Sequence, residues 1–427
     1  MAYFHAIINI LVYIFVIKKS FQSYIIYPFK KSTKEKKLYP ENLLQNDVEI
    51  TLEIGTPPQK IDLNLRSKVY TFFISSTETK LPYPTFNETI STTLIKETKN
   101  PEIYLGQEYY EAYKIYESIM IQEKEIKNIS LILATSVIYK ESGALGLRLV
   151  DSHEFAGDLS FIYQIKEPAN LDNYAFTLKY DDDENGELII GSYPHLYDKK
   201  YSENNFYYTR TGNIGNNLDW ILDFDSIKYD NNIIRSIITK SLIKIEFGLI
   251  QAPFKLKKYF NDNFFGNKCQ EKFYLSRNIT IIHCDKNFNI TNFKNLSFIL
   301  KDIDYEFILT YKDLFIEENE EYIFSIVFDN ITNNKDSTWI LGKTFMKKYQ
   351  LVYDLERKII GLYKDKYKND DKEGNKNKNY LIYIILIIIL SLIVIGLIIY
   401  IIYLFIKQRR KKAFELNDDN YDYIPSN

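Results

Sequence analysis

Glycine is scarce in this chain. Only 15 of 427 residues are Gly, about half the usual ~7%, so a glycine standing at a turn is informative here. Cysteine and histidine are scarcer still, at 2 and 4 residues. Those counts leave little room for a multi-cysteine zinc framework or a disulfide-dense scaffold. No metal cluster is read, and no cofactor is expected. Charge of one sign is also missing: 54 Lys+Arg against 56 Asp+Glu give a net charge of -2. That balance argues against a nucleic-acid binder driven by bulk positive charge. What is abundant is aromatic surface, with 37 Tyr, 28 Phe and 2 Trp. A chain this apolar is not disordered as a whole, and its length suggests two domains or one large two-lobed one.

Two apolar runs mark the ends. Phe4 to Ile17, stopped by Lys18-Lys19, is short for a bilayer span but fits the apolar region of a signal peptide. Its flanking charges lie on the unusual side and no small-residue cleavage site follows, so residues 1–20 are read as a signal peptide or an uncleaved anchor. Tyr380 to Ile406 is 27 residues without a charge, and about 20 suffice to cross a membrane. Lys407, Arg409, Arg410, Lys411 and Lys412 follow at once. Positive charge stays on the cytosolic side, so residues 380–406 read as the transmembrane helix of a single-pass type I protein and 407–427 as a cytosolic tail.

A secretory location follows from this reading, with an extracellular or lumenal ectodomain at the plasma membrane or an endosomal or vacuolar one. Six N-x-S/T sequons, at Asn87, Asn128, Asn278, Asn289, Asn295 and Asn330, lie between the apolar runs and are glycosylation candidates. Cys269 and Cys284 lie there too. In the tail, Tyr421 and Ile424 form a tyrosine-x-x-apolar pattern similar to sorting signals.

Between the ends the pattern is β. Val48 to Ile54 alternates with period 2, breaks at Gly55-Thr56-Pro57-Pro58, and resumes from Ile61 to Leu65, as two strands around a turn should. Short strands separated by Asn, Asp, Gly and Lys clusters continue to about Tyr363. Helices are expected only at Leu256 to Phe264 and Lys343 to Tyr349. Residues 364–379, rich in Lys, Asn and Asp, read as a stalk.

Several segments in order resemble the pepsin-like aspartic proteases. They are Ile54-Gly55-Thr56-Pro57-Pro58-Gln59; Gly143-Ala144-Leu145-Gly146-Leu147; Gly186-Glu187-Leu188-Ile189-Ile190-Gly191; and Trp339-Ile340-Leu341-Gly342-Lys343-Thr344-Phe345. Tyr349 to Asp354 and Ile360-Gly361-Leu362 complete the set. The resemblance implies an all-β, bilobal acid-protease fold, with an N-terminal lobe at 47–195, a C-terminal lobe at 196–363 and a short prosegment-like region at 21–46. In that region Tyr24 to Lys31 looks like a sheet-adding strand. The resemblance also implies a disulfide between Cys269 and Cys284, and a flap over the cleft for which Tyr104 is the candidate.

The family's catalyst is a pair of Asp residues in two D-[TS]-G loops. Two carboxylates a few Å apart cannot both ionise, so one holds the proton that the reaction needs. In this sequence the first loop reads Arg66-Ser67-Lys68 and the second Glu246-Phe247-Gly248. An arginine stays protonated and cannot be a general base. Phe247 has no hydroxyl with which to brace the loop across the lobe interface. Asp62 lies too early in its strand to substitute, and Asp223 and Asp225 read as an exposed strand face. His5, His153, His195 and His283 have no nucleophile motif nearby.

These readings predict a pseudoprotease in which Arg66 faces Glu246 across the lobes as a salt bridge, and whose cleft binds a peptide or protein ligand. The alternatives are an active aspartic endopeptidase with divergent loops, and a surface adhesion or structural protein.

Overall fold

The computed structural model describes residues 24–32, 40–103, 109–138, 141–150, 159–214, 217–235, 238–275, 278–318, 320–329 and 338–364, with 400, 403, 404, 406 and 407. The expected signal, the stalk beyond residue 364, most of the apolar run and the tail with Tyr421 and Ile424 lie outside the described residues, as do Tyr104 and Asn330. Among the described residues no helix is long and apolar enough to cross a membrane.

The described chain is mostly β, as the alternation predicts. In the first half the strands are β1 (Ile25–Lys31), β2 (Val48–Ile54), β3 (Gln59–Arg66), β4 (Phe72–Ser75), β5 (Tyr109–Ile121), β6 (Lys124–Val137), β7 (Gly143–Gly146), β8 (Ala175–Tyr180) and β9 (Asn185–Ile190). In the second half they include β10 (Phe206–Arg210), β11 (Ile221–Tyr229), β12 (Thr239–Ile243), β13 (Ile250–Pro253), β14 (Cys269–Tyr274), β15 (Ile279–Asp285), β16 (Leu296–Leu300), β17 (Ile326–Asp329), β18 (Trp339–Leu341), β19 (Val352–Asp354) and β20 (Ile359–Tyr363).

Two large sheets organise these strands. The first, of 14 strands, runs β10–β20–β19–β8–β9–β1–β2–β3–β7–β4–β6–β5 and is completed by short pieces around Ile95 and Ile103. The second, of 12 strands, has β16–β11–β12–β18–β13–β17–β15 at its centre. β1, the strand expected at the head of the prosegment-like region, pairs with β9 from Ile25↔Ile190 to Lys30↔Asn185 and reaches β2 at Lys30↔Glu49. β19 and β20 come from the end of the second half, yet β19 pairs with β8 in the first sheet. The two ends of the domain therefore meet in one sheet.

Period-2 alternation sets which face is buried. On β2 and β3, Ile50, Leu52, Ile54, Ile61, Leu63 and Leu65 are all buried. The aromatic wealth is spent mainly in the second half, where Phe260, Phe265, Phe293 and Phe324 pack ring against ring, at 5.0 Å between Phe265 and Phe324 and 5.4 Å between Phe293 and Phe324. Both expected helices form, as Lys255–Phe260 continued by a wider turn to Phe265, and as Lys343–Lys348.

Candidate functional site

The same local construction occurs once in each half. β3 runs parallel to β7, with Arg66 opposite Gly146. Beyond Arg66 the chain turns across β7: Gly146 N–H donates to Thr71 O and Leu147 N–H to Arg66 O. A Cβ on Gly146 would lie 2.4 Å from the backbone of Tyr70, so the crossing needs glycine. In the second half β12 runs parallel to β18, with Ile243 opposite Leu341. There Gly342 N–H donates to Leu249 O and Lys343 N–H to Phe247 O. A Cβ on Gly342 would lie 2.3 Å from both of those carbonyl oxygens. The two loops that the sequence singles out, Arg66-Ser67-Lys68 and Glu246-Phe247-Gly248, are thus the two crossing loops.

Ser67 joins them. Its backbone N–H and its hydroxyl both donate to Glu246 Oε2, at 2.9 and 2.7 Å. The same hydroxyl accepts from Ile245 N–H at 3.1 Å. The bracing hydroxyl is therefore present in the first loop, while Phe247 instead packs beside Leu43, Leu44 and Leu249. Lys68 points to solvent.

The expected Arg66–Glu246 salt bridge is not how Arg66 is held. The Arg66 side chain is buried, and it donates to Asp47 Oδ1 at 2.9 Å and to Glu141 Oε1 at 2.6 Å. Side-chain length explains the difference. An arginine stem carries its charge well beyond the point a β-carboxylate would reach, so the guanidinium passes the facing loop and finds these two acids. Glu141 is positioned by Ser75, whose hydroxyl donates to the Glu141 carbonyl at 2.6 Å. Asp47 ends a segment tied to the second loop. Asn46 N–H donates to Glu246 O, Gly248 N–H donates to Leu44 O, and Asn46 Nδ2 donates to Ile245 O at 2.8 Å and to Tyr180 OH at 3.0 Å. Burial pushes the Tyr180 phenol upward, so it stays protonated. A Cβ on Gly248 would lie 2.0 Å from Leu43 O, which fixes that residue as glycine.

The cluster is therefore one guanidinium between two acids, with a third acid engaged by a serine. Around it, Trp220 Nε1 donates to Leu147 O at 2.7 Å, and Lys244 Nζ reaches Asp219 at 3.2 Å. Lys343, where the matching family pattern has an acid, has its amine pushed down by burial despite Asp183 nearby. Of the other residues weighed from the sequence, His5 and His153 lie outside the described residues, and the rest lie elsewhere. Asp62 accepts from Thr51 Oγ1 on β2. Asp223 is half-buried and Asp225 exposed on β11. His195 pairs with Tyr363 OH and His283 with Glu321. Burial lowers the pKa of both imidazoles. Cys269 and Cys284 are joined by a disulfide across directly opposed positions of β14 and β15. Among the described residues no group of three or more His, Cys, Asp or Glu is placed to hold a metal ion.

Asp47 and Glu141 are the members that reading the sequence missed. For Asp47 a signal existed. The β2–β3 hairpin pairs Ile54 with Gln59 and Glu49 with Asn64, and two more steps in that register set Asp47 across from Arg66. For Glu141 no local pattern points to the site.

No curated protein matches the chain. The family model described as eukaryotic aspartyl protease matches residues 49–364, a span that holds both crossing loops, their glycine-gated partners and the disulfide. With most of its length accounted for in this way, the chain belongs to the eukaryotic aspartyl protease family.

Proposed function

We propose that this protein is a catalytically inactive member of the family, anchored in a membrane by residues 380–406, whose interlobe cleft binds peptide or protein. One observation supports the reading: Arg66, which motif spacing sets at the family's first catalytic Asp, is paired with Asp47 and Glu141. The family's chemistry needs two carboxylates that share one proton and activate a water. A guanidinium can neither accept that proton nor share it. Glu246 keeps a carboxylate in the second loop, but the oxygen that faces the first loop accepts two hydrogen bonds from Ser67. A cleft bounded by strand backbone can still take an extended peptide by main-chain hydrogen bonding.

The test is digestion of casein or haemoglobin at acid pH with and without pepstatin. No cleavage is expected, and pepstatin-sensitive cleavage overturns the reading. Ligand binding is tested by pull-down with substitutions along the cleft, which should abolish capture. Capture that survives all of them would move the protein to the adhesion or structural class.

A further inference from the structure

We propose that the folded chain presents two complete acceptor sites for N-linked glycan transfer, Asn87 and Asn289, while its fold closes the site at Asn128, Asn278 and Asn295. A sequon works through two groups, the Asn amide that is modified and the Ser/Thr hydroxyl two residues on. A transferase must reach both.

At Asn87 both are available. Thr89 is exposed in a turn, and its N–H and hydroxyl donate to Asn87 Oδ1 at 3.1 and 2.8 Å. At Asn289 the arrangement repeats: Thr291 is exposed, and its N–H and hydroxyl donate to Asn289 Oδ1 at 3.1 and 2.6 Å. In each case Oδ1 faces the chain, and Nδ2 has no hydrogen-bond acceptor among the described residues.

The other three sequons keep the Asn outward but lose the hydroxyl to a sheet. Ser130, two residues after Asn128, is 3% exposed on β6, and its backbone is clamped on both sides by the Gln164 side chain. Thr280 is 3% exposed on β15 between β14 and β17. Ser297 is 4% exposed on β16, paired with Lys228 on one side and Ile308 on the other. Positive φ at Asn128 and Asn278, 60° and 52°, breaks the strand alternation that would otherwise set both sequon residues on one face.

The transfer balances without redox chemistry. The co-substrate is a lipid-diphosphate-linked oligosaccharide. The bond from Asn Nδ2 to the sugar C1 forms while the bond from C1 to the diphosphate oxygen breaks. The lipid diphosphate leaves with that electron pair, and the amide gives up one proton. That the chain meets such an enzyme in cells rests on the secretory location proposed above, whereas the accessibility of the acceptors does not.

The experiment uses the full-length chain produced without glycans, folded in detergent, and incubated with oligosaccharyltransferase and lipid-diphosphate oligosaccharide. Occupancy of each sequon is read by peptide mass spectrometry. Asn87 and Asn289 should be modified at least about tenfold faster than the other three, the factor that ~1.4 kcal/mol of local opening already imposes. Reduced and urea-unfolded chain should show the five sites converging. Thr89→Ala and Thr291→Ala should each silence their own site and Thr→Ser should restore it, with tryptophan fluorescence confirming that each variant is folded. Equal rates in the folded chain, or faster modification at Asn128, Asn278 or Asn295, would overturn the proposal. Unglycosylated protein from secreting cells, alongside the expected pattern in vitro, would remove the secretory location and leave the acceptor geometry standing.

Discussion

Arg66→Ala removes the guanidinium that pairs with Asp47 and Glu141 and leaves both carboxylates where they are. Their side chains are 15% and 10% exposed, so water cannot repair the loss as it would at a surface pair. Breaking a buried pair by deleting one partner costs about 3–5 kcal/mol, because the surviving charge stays desolvated. For a domain of this size that corresponds to a fall in melting temperature of about 5 °C or more. The loss should also depend on pH in a set direction. In the variant Asp47 and Glu141 lose the cation that favoured their charged form. The contribution of that pairing in the parent is present above the ordinary carboxylate range, near pH 4, and is lost as pH falls through it. The deficit against the parent should therefore be large at pH 7 and smaller near pH 4. Trp220 and Trp339, the only two tryptophans and both buried, report unfolding by fluorescence. A compensated variant, Arg66→Met with Asp47→Asn and Glu141→Gln, should return most of the loss, since an apolar or neutral replacement of a whole buried ion cluster is often close to neutral. An unchanged melting temperature for Arg66→Ala at pH 7, or an equal deficit at both pH values, would refute the reasoning.

The remaining predictions concern the frame around Arg66. Ser67→Ala deletes the hydroxyl that donates to Glu246 and accepts from Ile245; it should cost about 1–3 kcal/mol, measured by urea titration of tryptophan fluorescence, and no loss would mean that the bond does not couple the two loops. Gly248→Ala drives a Cβ to 2.0 Å from Leu43 O and must displace residues 43–46; little folded protein by circular dichroism is expected, and a normal melt would show that the segment is not fixed there. Arg66→Asp should not restore proteolysis, because it replaces the guanidinium between Asp47 and Glu141 with another acid; acid-pH haemoglobin digestion by this variant would contradict the account. His283 has its pKa lowered, mainly by burial, so the unfolded chain takes the proton more readily, and stability should fall as pH drops below about 6.5. His283→Gln should flatten that part of the stability–pH curve.

Much of the frame was legible because it depends on short-range rules. The alternation of Val48 to Ile54 and Ile61 to Leu65 around Gly55-Thr56-Pro57-Pro58 gives the β2–β3 hairpin, and that hairpin's register already sets Asp47 against Arg66. The glycines of the two ordered motifs, Gly146 and Gly342, mark the loop crossings because only a residue without Cβ lets two backbones approach that closely. What was not legible came from side-chain reach and long-range placement. Ser67 of the first loop reaches Glu246 of the second, but the length of the arginine stem decides whom the charge of Arg66 meets. Glu141 arrives from the chain just before β7, held through Ser75, and no periodicity near residue 66 encodes that. The acceptor sequons divide for a related reason. All five share the N-x-S/T pattern, with Ser at 130 and 297 and Thr at the others, while sheet pairing decides whether the hydroxyl reaches solvent.

The crossing loops impose two independent demands, and the sequence meets them with different residues. The backbone demand is steric. The chain leaving Arg66 must pass Gly146 at Tyr70 and Thr71, Phe247 and Leu249 must pass Gly342, and Leu43 and Leu44 must lie against Gly248. Nothing in those contacts depends on what chemistry the side chains at 66 and 246 perform. The side-chain demand is electrostatic. Whatever charge is buried at 66 must be matched where its stem delivers it, and Asp47 and Glu141 match a guanidinium. The fold can therefore bury a cation at position 66, provided that cation finds counter-charges within its own reach. The same separation explains why a single back-substitution at 66 is expected to fail. The two acids that now neutralise Arg66 would turn from partners into repelling neighbours, and the loop would need Asp47 and Glu141 neutralised before a shared-proton carboxylate pair could form opposite Glu246.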